Sequence, residues 1–228
     1  MDIFVNGQKI SLTQKNFVAK GGEGSIFKRD KIAYKVYEDL NKMVPLEKLK
    51  ELQALTHPQI VSPIDPLYNE KKHVIGFTMN WLGDDNFALC KLFTNTFREA
   101  NNVNDAMTLA LVENIKKTTS YIHEHNFLIV DGNELNYLVS PDFVTPFFID
   151  VNSWQTKNYQ ATAIMPSIRD WTTDAFSALT DWFSFAIVTF QLFTGIHPFK
   201  GKHKDFRMND FKGRILSNMS VFNSQVSF

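Results

Sequence analysis

Asp131, Asn136 and Asp150 are the residues of this chain whose types and spacing suit chemistry on phosphate. Asn136 follows Asp131 by five positions, and Asp150 ends the next apolar run, Phe147-Phe-Ile149. One carboxylate, a carboxamide and a second carboxylate are the groups needed to hold Mg-ATP beside a hydroxyl nucleophile. Upstream, Gly21, Gly22 and Gly24 offer backbone N–H groups that a phosphate can approach closely. Lys35, in Ile32-Ala-Tyr-Lys35, supplies a cation from the following strand, and its flanks Ile32, Ala33 and Val36 argue against a fully solvated position. A glycine cluster alone marks a turn as readily as a phosphate site; its conjunction with the lysine and the Asp-Asn-Asp set points to phosphoryl transfer.

The elements that must position these groups change character along the chain. The first third is strand-like: Ile3-Phe-Val5, an Asn6-Gly7 hairpin turn, Lys9 to Leu12, then a strand pair flanking Gly21 to Gly24. From Pro45 to Leu55 the leucines recur every third residue, which predicts one helix, stopped at His57-Pro58. Strands are expected around Ile60 to Pro66 and Val74 to Trp81, followed by a connector at Gly83-Asp84-Asp85. Beyond it the pattern predicts helices from Val103 to His125 and Asp181 to Gly195, separated by short strands carrying Asp131 and Asp150. Strand-rich then helix-rich is an α+β arrangement, divided into residues 1–83 and 84–228, with a ligand cleft expected between the two.

Composition bounds the rest. With 228 residues, 44% of them hydrophobic and 21 Phe, the chain can fill a sizeable core. Its 24 basic and 24 acidic residues cancel, so the charge balance points to neither nucleic acid nor an anionic membrane. A single cysteine, Cys90, excludes an internal disulfide and a cysteine-based zinc site and reads as a packed thiol in a reducing, cytoplasmic compartment. The start lacks the pattern of a signal peptide, and the most apolar stretch, Trp182 to Ile196, falls short of the ~20 residues a membrane span needs. His57, His73, His123 and His125 have no metal-ligand spacing, and His197 reads as structural.

At these residues the sequence resembles the protein kinase family, from about Val18 to Phe199. Val18-Ala-Lys-Gly21-Gly-Glu-Gly24-Ser-Ile26 is similar to the nucleotide-covering loop, with Ala19 in the first glycine slot. Ala33 and Lys35 match the alanine and the phosphate-holding lysine of the next strand. Phe77-Thr-Met79-Asn80-Trp-Leu82 resembles the gatekeeper and hinge: Met79 would line the adenine pocket, and backbone groups of Asn80 and Leu82 would meet the base. The resemblance assigns the substrate hydroxyl to Asp131 and metal binding to Asn136 and Asp150. It also implies a helix C glutamate paired with Lys35. Counting back from His57-Pro58 puts Lys48 in that slot, and one of the flanking Glu47 and Glu51 would serve after a small register shift, Glu51 being preferred. Asp181 to Phe199 is similar to helix F and its exit, a helix apolar all round because it lies at the lobe's centre, whose Asp181 would hold the catalytic-loop backbone.

The departures are specific. Ile129 and Val130 replace the His and Arg of H-R-D, which removes the arginine that receives an activation-loop phosphate. Asn133 stands where many members have lysine, and Asp150-Val-Asn152 replaces D-F-G, asparagine tolerating the left-handed backbone of the glycine. These substitutions resemble a divergent bacterial and phage branch with G-G-E-G loops. Lys200 to Phe228 leaves little chain for the remaining C-lobe helices, so a minimal lobe, a truncated form or a partner protein completing it is implied. The implied fold is bilobal, with a small β-rich N-lobe carrying one helix and a mostly helical, shortened C-lobe. The implied activity is Ser/Thr protein kinase with ATP and magnesium or manganese, acting on an unidentified protein substrate. The alternatives are a pseudokinase or nucleotide-binding regulatory scaffold and a small-molecule phosphotransferase; the helix F resemblance opposes the last.

Overall fold

The computed structural model describes residues 1–161 and 163–227; Thr162, in the expected activation segment, and Phe228, at the expected end of the second domain, lie outside the described residues. The fold is α+β and forms two compact units. The first comprises Met1–Asn86 together with Ile149–Asn152, the second Phe87–Phe148 and Ser153–Phe228.

The first unit is built on a curled antiparallel sheet of seven strands: β1 (Asp2–Val5), β2 (Gln8–Ser11), β3 (Phe17–Lys20), β4 (Gly24–Arg29), β5 (Ile32–Tyr37), β6 (Pro66–Tyr68) and β7 (Val74–Asn80). Their order is β2-β1-β6-β7-β5-β4-β3. Asn6 and Gly7 turn β1 into β2 with φ of 48° and 78°, the left-handed pair that a two-residue hairpin of this twist requires. Successive strand residues face opposite sides. Tyr34 and Val36 of β5 therefore pack with Ile3, Leu12, Leu67 and Ile75, while Tyr37 joins Val44, Leu49 and Phe77 in a second cluster. Lys35 shares the face of Tyr37, and its neighbour across the sheet is Phe77.

The helix on that second face, α1 (Leu46–Leu52), buries Lys48, Leu49 and Leu52. It stops short of Leu55 because Ala54 and Leu55 bond three residues back, to Glu51 and Leu52, tightening the last turn before Pro58. The strand expected at Ile60 to Pro66 is largely irregular. Pro63 has no N–H for a ladder, only Ile64 and Asp65 exchange backbone bonds with Thr78, and pairing becomes regular at β6.

Among the described residues the second unit holds a three-stranded sheet, β8 (Phe87–Ala88), β9 (Tyr137–Val139) and β10 (Pro146–Phe148), and the α-helices α2 (Asn95–Ala100), α3 (Asp105–Glu124), α4 (Ala178–Thr194) and α5 (Phe211–Leu216). Asn104 caps α3 by accepting the Met107 N–H at 2.9 Å. α3 turns Leu111, Val112, Ile115 and Ile122 inward. α4 begins one turn before Asp181, where the Thr180 hydroxyl accepts the Ser177 N–H at 3.0 Å. It is not enclosed on all sides as its composition implies: Ile187, Val188 and Leu192 are buried, but Leu179 and Phe193 are exposed. α2 and α5 have six residues each, too few to leave a periodic signal. Cys90 is a free, half-buried thiol. Among the described residues no helix is long and apolar enough to cross a membrane.

His197 follows α4 and is a packed core histidine. Its Nδ1 accepts the Phe199 N–H at 3.1 Å, which places the proton on Nε2, 2.9 Å from the Ser167 carbonyl. Burial pushes its pKa from 6.5 to about 4, against the pull of the Ser167 carbonyl. As pH falls from 6.5 towards 4, the unfolded chain takes up a proton that the folded one refuses, so stability is lost across that window and not further below it. Denaturant unfolding at pH 7 and pH 4 should show the native chain losing about 3 kcal/mol more than His197→Phe over this interval.

Candidate functional site

Lys35 anchors the polar cluster of the first unit. It retains 8% of its surface, and an ammonium so buried is tolerable only if its donors are matched. Its Nζ donates to Glu23 Oε2 at 2.7 Å, Asp150 Oδ1 at 2.8 Å and Asn152 Oδ1 at 3.0 Å. An ammonium has three N–H groups, so all are engaged. The rings of Tyr37 and Phe77 lie 5.4 and 6.0 Å from Nζ. Burial acts to lower the Lys35 pKa, but the charges of Asp150, Tyr37 and Glu23 outweigh it and hold the pKa above its ordinary value.

Asn152 is buried and satisfied at both ends. Its Nδ2 donates to Glu23 Oε2 and to the Tyr37 hydroxyl, each at 3.2 Å. Burial pushes the Tyr37 hydroxyl up to about 12, the positive Lys35 opposing. The left-handed residue of this segment is Asp150, at φ 56°, where Asn152 was expected; Asn152 instead sits in a short 3-10 turn, Val151–Ser153. A non-glycine residue held there costs of order 1–3 kcal/mol and persists only where the surroundings fix it, here through the ion pair to Lys35.

The glycine tip folds over this cluster. Gly24 is required by close approach, since a Cβ there would fall 2.2 Å from the Val36 carbonyl oxygen. The Gly21 N–H closes the tip on the Gly24 carbonyl at 2.8 Å, and a Cβ at Gly22 would meet nothing within 4 Å. Ile26 is the cross-strand neighbour of Lys35 on β4. Ala33 pairs with Met79, which packs against the Tyr37, Leu49 and Phe77 cluster. Asn80 ends β7 exposed opposite Ile32, and the Leu82 carbonyl accepts the Asn86 amide at 2.8 Å.

The helix residues are placed differently from expectation. The carboxylate meeting Lys35 from outside the Asp150 segment is Glu23, on the glycine tip, and Lys35 has no N–H left for Glu51 or Glu47. Glu47 is exposed and Glu51 half-buried, while Lys48 is the charged side chain that α1 buries, at 2% exposure. Burial pulls the Lys48 pKa down, and Glu23, Asp150 and Glu51 pull it back. Glu23 was visible in the sequence as the one charged residue inside the glycine run, but its partner was not.

In the second unit Asp131 lies in a loop after the bridge between Leu128 and Gln155, not on a strand. Asp181, 4% exposed, holds this loop: Oδ2 accepts the Ile129 N–H and Oδ1 the Val130 N–H, each at 2.8 Å. His123 of α3 adds a third contact, Nε2 to Oδ2 at 2.9 Å, a partner the histidine spacing did not reveal. Val130 is left-handed, φ 60°, a conformation adverse to a β-branched residue. Next to it, Asp131 Oδ1 accepts the Met165 N–H at 2.8 Å. Asn136 Nδ2 donates to the Asp131 carbonyl at 2.8 Å, and Asn133 organises the intervening turn by accepting the Leu135 N–H. Among the described residues no three His, Cys, Asp or Glu side chains converge as a metal site.

No protein-family model matches this chain, and no curated protein matches it. The geometry alone therefore carries the functional reading. Asp181→Ala strands two buried backbone N–H groups, so urea unfolding should report a loss of about 3 kcal/mol or more, with a smaller loss for Asp181→Asn, which keeps one acceptor oxygen.

Proposed function

We propose that this chain is a divergent member of the protein kinase superfamily, bilobal in fold, that transfers the γ-phosphate of ATP to Ser or Thr hydroxyls. The observation that carries the reading is the contact of the strand lysine Lys35 with Asp150 at 2.8 Å across 115 residues of sequence. It joins the two residues that a nucleotide-phosphate site needs and that composition gives no reason to join. Asp181 holding the Ile129 and Val130 amides, and Asn136 bonded to the Asp131 carbonyl, support the same reading of the catalytic loop.

Lys35 and the glycine tip, Gly21, Gly22 and Gly24, hold the phosphates; Ala33, Ile26 and Met79 bound the adenine, with backbone groups of Asn80 and Leu82 at its edge. Asp131 orients the acceptor hydroxyl. Magnesium takes oxygen donors, and each unit would supply one: Asp150 of the first a carboxylate oxygen, and Asn136 of the second, its amide nitrogen committed to the Asp131 carbonyl, a carboxamide oxygen. The ion, when bound, neutralises charge developing on the transferring phosphate. One observation favours a second reading, a nucleotide-binding regulatory scaffold: one oxygen of Asp131 is already committed to the Met165 N–H, on the segment that would admit substrate.

ATP turnover with magnesium or manganese, measured with a generic protein acceptor, tests the first reading. Asp150→Ala and Asp131→Asn should each lower turnover by about 10²-fold or more. Magnesium-dependent ATP binding lost in Asp150→Ala, with no turnover by the native chain, would favour the scaffold instead.

A further inference from the structure

Two lysines of the first unit feel the charges of the same carboxylates, Glu23 and Asp150, and they are not equivalent. Lys35 has no N–H to spare, whereas among the described residues no acceptor is hydrogen-bonded to the ammonium of Lys48. Lys48 is nonetheless 2% exposed, on a seven-residue helix whose other buried residues are Leu49 and Leu52. A packing role alone would be served by an apolar side chain, whereas here a buried stem ends in an ammonium that makes no direct hydrogen bond and is not among the fully enclosed polar atoms. Its charge is felt by Glu23 and Asp150, the two carboxylates that bind Lys35, and by Glu51 on its own helix.

Any phosphate oxygen reaching Lys35 must displace one of its three acceptors. Asn152 is buried and tied at its other end to Tyr37. Asp150 has as much of its side chain exposed (35%), but it is carried on the short return of chain, 149–152, that the buried Asn152 anchors to Tyr37. Glu23 rides on the hairpin tip between Gly22 and Gly24, with a third of its side chain exposed (33%), and can leave without moving a core element. Its Oε2 bridges Lys35 and Asn152 as one oxygen of a phosphate would. Its departure frees an N–H on Lys35 and removes a negative charge that acts on Lys48.

We propose that Lys48 is a second phosphate-binding cation of this site, and that in the ligand-free chain the Glu23 carboxylate stands in for the phosphate oxygens. This rests on the reading above that the cluster receives a nucleoside polyphosphate, and it assigns opposite signs to the two residues. Removing Lys48 weakens anion binding; removing the Glu23 charge strengthens it.

The test is equilibrium titration of the full chain with two probes, a non-hydrolysable ATP analogue and inorganic tripolyphosphate, both with magnesium. Native chain, Lys48→Met, Glu23→Gln and Lys35→Met are compared, with melting temperatures in parallel. Lys48→Met should bind both probes about tenfold more weakly, and Glu23→Gln several-fold more tightly, than the native chain. Lys48→Met binding like the native chain would make Lys48 a core residue and overturn the proposal. Glu23→Gln binding more weakly would make Glu23 the holder of Lys35 and overturn it equally. Should Lys48→Met fail to fold, the sign for Glu23→Gln, a change on an exposed tip, still decides. Tripolyphosphate bound as tightly as the ATP analogue, with both signs as stated, would keep the proposal and remove the nucleotide reading; no binding of either probe by the native chain overturns both.

Discussion

Burying the Lys35 ammonium is the constraint on which the first unit depends. Strand alternation sends Tyr34 and Val36 into one core and leaves Lys35 on the face that Phe77 and α1 cover, so the charge cannot remain in water. Acceptors must then be brought to it. They come from two places far apart in sequence: Glu23 from the glycine tip, and Asp150 and Asn152 from a four-residue return of the chain. The ion pairs explain why Ile149–Asn152 belongs to the first unit although the residues on either side belong to the second. They also hold Asp150 in its left-handed conformation, a strain that an isolated loop would release.

The second unit solves a similar problem with the opposite charge. Asp181 is buried at the start of α4 and satisfied by two backbone N–H groups and His123. The backbone it fixes includes the left-handed Val130, directly before Asp131. In both units a buried charge over-determines a strained loop beside a candidate reactive residue. Such strain is unfavourable for stability alone and is expected where geometry is selected for chemistry. Asp131 itself also accepts the Met165 N–H, a contact that bears on whether the carboxylate meets a substrate or only its own chain.

Much of this was legible from short-range patterns. The Asn6-Gly7 hairpin, the strands bearing Lys35 and Met79, and the long helices carrying His123 and Asp181 follow from turn chemistry and hydrophobic period. The irregular stretch before β6 was not, because Ile60, Val61 and Ile64 look strand-like while Pro63 among them removes a donor. Glu23, Lys48 and His123 were misread or passed over for one reason: their roles depend on partners from other elements, and one sequence carries no record of such pairings. Counting placed Lys48 in the slot of an expected glutamate, which read as a defect. The fold answers it with a carboxylate carried by the glycine tip. Asn152 was read as a backbone substitute for glycine, whereas its side chain, bonded to Lys35, Glu23 and Tyr37, is what the position uses.

A single buried ammonium organises both the glycine tip and the Asp150 segment. Amide hydrogen exchange of the native chain against Lys35→Met tests it most directly, because methionine keeps the apolar stem and removes the charge. Residues 21–24 and 149–152 should lose protection together while the β1–β2 hairpin keeps its own. Unchanged protection in both segments, or loss confined to one, would contradict it.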